Sequence, residues 1–171
     1  MNADAYFETG TGKLICQDYA VAGVFRDITY AIGADGCSDS PNTDVGARLL
    51  SLIGRGVCVP YEINNGGLEE DLPTRVRVYE SLIASRCMDI RGQLVLPTEV
   101  FDATLWLSMW PKEGSPVVVG WGDGLAVADY GSHKIVYLHE YPYNAPLYLS
   151  YSIDILRKDA HREQFGDQKS V

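Results

Sequence analysis

The sequence has no apolar run long enough to cross a bilayer: its longest apolar stretches are short and are broken by Gly, Pro or Asp. Its opening residues, MNADAYFETG, carry neither a basic n-region nor an apolar core, so no secretory signal is expected. Basic residues are scarce. Lys and Arg total 14 against 23 Asp and Glu, a formal charge of -9, which argues against a nucleic-acid partner because phosphate backbones need a basic surface. Cysteines are few and widely spaced, at 16, 37, 58 and 87, with no Cys-x-x-Cys and no zinc-type pairing with histidine. Reduced thiols in a cytoplasmic protein are therefore the expectation. Neither membrane nor nucleic acid is expected as a partner, and oligomeric state is left open. There is no internal repeat, low-complexity tract or clear linker, so residues 1–171 read as one domain.

What is present is enough apolar side chain, 46% of residues, to offset the entropy of ordering the chain. Tyr19 to Phe25 and Ile28 to Ala34 are β-prone runs joined by Arg26-Asp27, the pattern of a hairpin. Asp35-Gly36 ends the second run. A helix is predicted from Thr43, its expected N-cap, with Val45, Leu49, Leu52 and Ile53 at helical spacing and Gly54 and Gly56 as its stop. Asn64 to Gly67 reads as a loop, and Glu69-Glu70-Asp71 as acidic residues that complement the dipole of the next helix. That second helix is predicted from Pro73-Thr74 to about Met88, with Val76, Tyr79, Ile83 and Cys87 as its apolar stripe. Four strands follow: Ala103 to Trp110, Pro116 to Trp121, Leu125 to Tyr130 and Lys134 to Glu140. The tail from Ser152 reads as the start of a helix with Ile153, Leu156 and Ala160 on one side. Strands, two helices, then strands predict an α+β layered domain rather than a βαβ array.

Two carboxylates stand out by position. Asp18 opens the first strand of the hairpin and Asp35 closes the second, so antiparallel pairing brings them to the same end. Adjacent carboxylates repel unless a cation lies between them. Hard ions such as Mg²⁺ or Mn²⁺ take oxygen ligands of this kind, and Gly36 lets a backbone carbonyl approach without Cβ hindrance. The same Asp-Gly pair also serves as a plain turn.

The segments Cys16-Gln17-Asp18-Tyr19, Gly33-Ala34-Asp35-Gly36-Cys37-Ser38 and Thr43-Asp44-Val45-Gly46-Ala47-Arg48, followed by Ala103-Thr104-Leu105 and Gly120-Trp121-Gly122-Asp123-Gly124, resemble the ordered motifs of type 2C metal-dependent protein phosphatases, in their divergent bacterial branch. The resemblance spans roughly residues 5–150. It implies a layered β-sandwich of antiparallel sheets flanked by helices, with two or three Mn²⁺ or Mg²⁺ ions in the complete domain. It also implies that a metal-bridging water hydrolyses phosphoserine or phosphothreonine in a protein substrate. Asp35 would match the bridging ligand beside the Gly36 carbonyl, Asp18 the acidic ligand near the first strand, and Asp123 the ligand of a weaker third metal. Lys13 would match the phosphate-binding position, with a point charge in place of the bidentate Arg of many members.

The departures are specific. The Ser-Asp-Gly and Asp-Asn segments that supply further ligands in the family are missing, Cys37 stands where some members carry His, and Gln17 stands where Glu is frequent. Two readings follow: the N-terminal portion of a longer catalytic domain, or a non-catalytic binding or regulatory module on the same fold. Other chemistries fail on spacing. A cysteine phosphatase needs Arg six residues after its nucleophile, and position 43 is Thr. A P-loop at Gly10-Thr11-Gly12-Lys13 would need Gly at Phe7 and Ser or Thr at Leu14. Trp106, Trp110 and Trp121 read as core or edge filling, and His133, His139 and His161 as surface or structural residues.

Overall fold

The computed structural model describes residues 2–12, 14–65 and 71–167. Its described residues form an α+β arrangement of two antiparallel sheets and four helices. Strands β1 (Asp18–Phe25) and β2 (Ile28–Asp35) make the expected hairpin, with Arg26 in the left-handed region that a tight two-residue turn requires. β3 (Leu105–Pro111) adds to β2, and β4 (Val117–Trp121) adds to β3, giving the order β1-β2-β3-β4. β5 (Gly124–Asp129) and β6 (Lys134–His139) form a separate two-stranded sheet. No helix among the described residues is long and apolar enough to cross a membrane.

Period-two alternation decides which face of the larger sheet is covered. Ile28, Tyr30, Ile32 and Ala34 of β2 and Leu105, Leu107 and Met109 of β3 are buried against the helices. The opposite face carries small residues, Ala20, Ala31 and Gly33, beside half-buried Trp106 and Ser108. The N-terminal residues Asp4 to Tyr6 and the β5 residues Leu125 and Ala126 lie along that face.

Helix α1 (Thr43–Asn65) is longer than its glycines suggest. Gly54 does not stop it: a Cβ there would sit 3.2 Å from Leu107 Cδ2, so the glycine lets the helix lie close on β3. Burial of Leu50, Ile53, Cys58 and Val59 carries the helix through Gly56 and Pro60, because tertiary packing outweighs local propensity. Asn64 and Asn65, expected in a loop, end the helix, while Gly66 to Glu70 fall outside the described residues. Helix α2 (Leu72–Leu94) is capped by Asp71, whose carboxylate accepts the Thr74 N–H at 2.8 Å, and it buries Tyr79, Ile83 and Cys87 of the predicted stripe. The two helices are pinned by buried Glu62, which accepts from the Tyr79 hydroxyl and from Arg75. Burial, then the hydrogen bond that it donates to Glu62, pushes the Tyr79 hydroxyl above its ordinary value.

The tail folds as α3 (Ser150–Ile153) and α4 (Ile155–Phe165). Its packed side differs from the predicted one. Leu156 is 77% exposed, whereas His161 is buried and donor Arg157 faces inward. A buried acid elsewhere in the chain draws the charged side of α4 to the body.

The four cysteines divide into two classes, Cys58 and Cys87 fully buried and Cys16 and Cys37 half-buried. Burial pushes the Cys87 thiol from 9.0 up to about 12, and burial followed by the Glu62 charge raises that of Cys58. Titration of the native protein with a thiol reagent should therefore modify two cysteines quickly and the other two only at the rate of unfolding. The linkage has a definite sign. Above pH 9 the unfolded chain releases these protons and the folded chain holds them. Stability should be fully present below pH 9 and fall toward pH 12, by about 1.4 kcal/mol per pH unit per thiol. Urea titrations at pH 8 and pH 10.5 with equal midpoints would refute this.

Candidate functional site

The β1–β2 register pairs Asp18 directly with Asp35, as antiparallel geometry requires of the first and last residues of this hairpin. Directly opposed residues share a face, and this pair lies on the face turned away from α1 and α2. Asp123, in the turn between β4 and β5, lines the same open groove of about 370 Å³. Three acidic residues thus line one depression, and none of the described residues lining it is basic. The local field favours a cation.

The strand ends are fixed by backbone bonds on both sides. The Gly36 N–H donates to Gln17 O at 3.0 Å, extending the hairpin by one position, and the Cys37 N–H donates to Asp102 O at 2.8 Å. Gly36 is a close-approach position. A Cβ there would lie 2.8 Å from both Gln17 O and Thr43 Oγ1. Thr43, predicted as a cap, is instead the fully buried first residue of α1. Its hydroxyl donates to Cys37 O at 2.9 Å and accepts from Gln17 Nε2 at 3.0 Å, so one side chain joins the segments that carry Asp18 and Asp35.

β3 joins the two ends of the site. Thr104, just before that strand, accepts the Asp35 N–H through Oγ1 at 3.0 Å and donates its own N–H to Asp35 O at 2.8 Å. Two residues on, Trp106 donates its indole N–H to Asp123 O at 3.1 Å. The Thr-containing segment was visible in the sequence, but its function as a bracket for Asp35 was not.

Behind the loop after Gly36 lies a buried acid that sequence reasoning missed. Asp102 is 3% exposed, and its carboxylate accepts from Arg157 Nη1 and Nη2 at 3.0 and 2.7 Å, from Ser150 Oγ at 2.6 Å and from Ser40 Oγ at 2.8 Å. It ties α3 and α4 to the Cys37–Ser40 loop. No local pattern announces a pair 55 residues apart. Tyr148 completes this wall: burial first, then a hydrogen bond with Cys37 and the charges of Asp123 and Asp102, raises its hydroxyl well above 10.0. Burial and the Asp123 charge do the same to Tyr141.

Asp18, Asp35 and Gly36 are thus brought together, and Asp123 joins them along one groove. Lys13 lies outside the described residues. Among the described residues no group of three or more His, Cys, Asp or Glu side chains is gathered tightly enough to hold a metal ion alone. The donors that are close are the two carboxylates of the hairpin end. That set fits a hard divalent ion of the Mg²⁺ type, which keeps several waters and uses one or two protein carboxylates together with substrate phosphate. It does not fit a soft ion, since neither a histidine nor a cysteine lines the groove among the described residues. No family model matches the chain, and neither does any curated protein or solved structure.

Proposed function

We propose that this chain is part of a type 2C-like, Mn²⁺- or Mg²⁺-dependent phosphatase domain acting on phosphoserine or phosphothreonine in proteins. The observation that carries the reading is the Asp18–Asp35 pair at the end of β1 and β2, opening on the groove that Asp123 also lines. The layered sandwich expected of such a domain is supported by the β5–β6 hairpin, whose His139 ring packs against Trp106 on the free face of the larger sheet, with centroids 5.0 Å apart. Asp18 and Asp35 are the proposed ligands, Gly36 gives the close approach, and Asp123 extends the acidic wall. Lys13 is the proposed phosphate contact. A divalent ion held by this pair would supply positive charge to a phosphoryl oxygen and acidity to water.

The test is hydrolysis of p-nitrophenyl phosphate by the chain with and without Mn²⁺, beside Asp35→Asn. Mn²⁺-dependent turnover is expected, and Asp35→Asn should lower it by at least about a hundredfold, the scale of losing one preorganised electrostatic group. A second reading, a non-catalytic binding module, is favoured by the want of a three-carboxylate cluster among the described residues. Absence of turnover in the wild-type chain at every Mn²⁺ concentration would select that reading over the first.

A further inference from the structure

We infer that Trp106 is a positioning residue for Asp123, and that through it β3 sets the affinity of the groove for a divalent cation. The inference rests on the metal reading above. The indole N–H donates to the Asp123 carbonyl at 3.1 Å, which fixes the backbone of an acidic residue that lines the groove. Two glycines make room for this contact. Gly120 stands directly opposite Trp106 on β4, where a Cβ would meet the indole ring at 2.6 Å. Gly124, at a φ of +157°, would carry a Cβ 2.2 Å from the indole nitrogen. Gly122, on the other side of Asp123, has a φ of +82° and lies against Thr104, the residue that brackets Asp35. His139 meets the indole at 65°, closing its outer side. A turn of Gly-Asp-Gly would be free in isolation. Here Gly122 is pressed on Thr104 and Gly124 on Trp106, so Asp35 and Asp123 take their positions from two nearby residues, Thr104 just before β3 and Trp106 within it.

An outer contact of this kind, which positions a charged residue of the groove without touching the ion, typically changes metal affinity by about tenfold or more when removed. Calorimetric titration with Mn²⁺ and the Mn²⁺ dependence of p-nitrophenyl phosphate hydrolysis should be measured on the wild-type chain, Trp106→Phe, Asp123→Asn and Trp110→Phe. Trp110 is the control, because its indole N–H donates to Ser108 Oγ. Trp106→Phe and Asp123→Asn are expected to raise the Mn²⁺ concentration at half-saturation by about tenfold, with turnover at saturating Mn²⁺ changed much less, while Trp110→Phe matches the wild type. Unchanged Mn²⁺ dependence in Trp106→Phe alongside a weakened Asp123→Asn overturns the positioning role. So does a weakened Trp106→Phe beside an unaffected Asp123→Asn, which would place the effect elsewhere. A wild-type chain that binds no Mn²⁺ removes the metal reading and this inference together, and is told apart by the wild-type titration alone. Should Trp106→Phe fail to fold, the assigned indole N–H signals of the wild-type chain decide. Substoichiometric Mn²⁺ should broaden Trp106 before Trp110, and equal broadening overturns the inference.

Discussion

Asp102→Ala is expected to lower the unfolding free energy by about 3–5 kcal/mol, the cost of leaving one member of a buried ion pair without its partner. The carboxylate meets four donors from three separate parts of the chain, so its removal strands the partly buried Arg157 guanidinium and the Ser150 and Ser40 hydroxyls together. For a domain with about 5–15 kcal/mol in total, that is a third or more of its stability. The double variant Asp102→Ala/Arg157→Leu separates the causes. A guanidinium buried without its anion is the larger penalty, so the double variant should be more stable than Asp102→Ala alone. Urea denaturation followed by circular dichroism measures both. A loss under about 1 kcal/mol for Asp102→Ala, or additive effects in the double variant, would show that the cluster does not hold α3 and α4 to the body. The loss should also reach the groove, because the Cys37 N–H donates to Asp102 O and Cys37 follows directly on Asp35-Gly36.

That cluster marks the limit of what the sequence makes legible. The hairpin and the meeting of Asp18 with Asp35 follow from period-two alternation and a two-residue turn, both local signals, whereas the pairing of β2 with β3 across two helices is not. The apolar stripe of α2 likewise follows from spacing within one helix, and Tyr79, Ile83 and Cys87 are buried as expected. The extent of α1 is not local. Gly54 reads as a stop until β3 is placed beneath it, and only then is it a packing residue under Leu107. The tail is helical as expected, with Ile153 against the core, but the packed side of α4 is not local either. Ile153 and Leu156 suggest an apolar stripe, yet α4 turns Arg157 inward toward an acid 55 residues earlier.

Within the site the division is the same. Asp18, Asp35 and Gly36 can be placed together from sequence because each sits at a strand end, where backbone geometry is predictable, whereas Asp123 is singled out only by the family resemblance. The residues that hold them cannot. Thr43, Thr104, Asp102 and Trp106 act across elements, and their chemistry shows only once β2, β3 and the start of α1 are adjacent. Trp106, alternating with β-prone neighbours, reads as core or edge filling. Its contacts with Gly120, Asp123 and Gly124 give it another part, and no spacing rule connects an indole to glycines on the next strand.

Gly46→Ala and Gly56→Ala, one residue type in one helix, are expected to change stability in opposite directions. At Gly46 a Cβ would sit 1.6 Å from the Val100 carbonyl oxygen and 2.6 Å from its carbon. These are backbone atoms of a short helical turn, Thr98–Phe101, in which Val100 and Phe101 are fully buried, so neither side can yield without moving an element. The gain in helix propensity from Gly to Ala is about 1 kcal/mol, while forced overpacking costs about 1–3 kcal/mol and more where backbone must shift. The steric term wins, and a net loss of at least about 2 kcal/mol is expected. At Gly56 nothing lies within 4 Å of the added methyl and the position is exposed, so only the propensity and unfolded-chain terms remain, and a gain of about 0.5–1 kcal/mol is expected. Urea midpoints at constant m-value test the pair directly. Equal shifts of one sign would mean that α1 does not rest on the Thr98–Phe101 turn. The consequence for the site follows from position. Gly46 lies one helical turn after Thr43, and Thr43 ties Gln17 to Cys37 beneath Gly36. An α1 start pushed off Val100 therefore carries Thr43 with it, and on the proposed metal reading Gly46→Ala should weaken Mn²⁺ binding as well as folding, whereas Gly56→Ala should leave binding at the wild-type level.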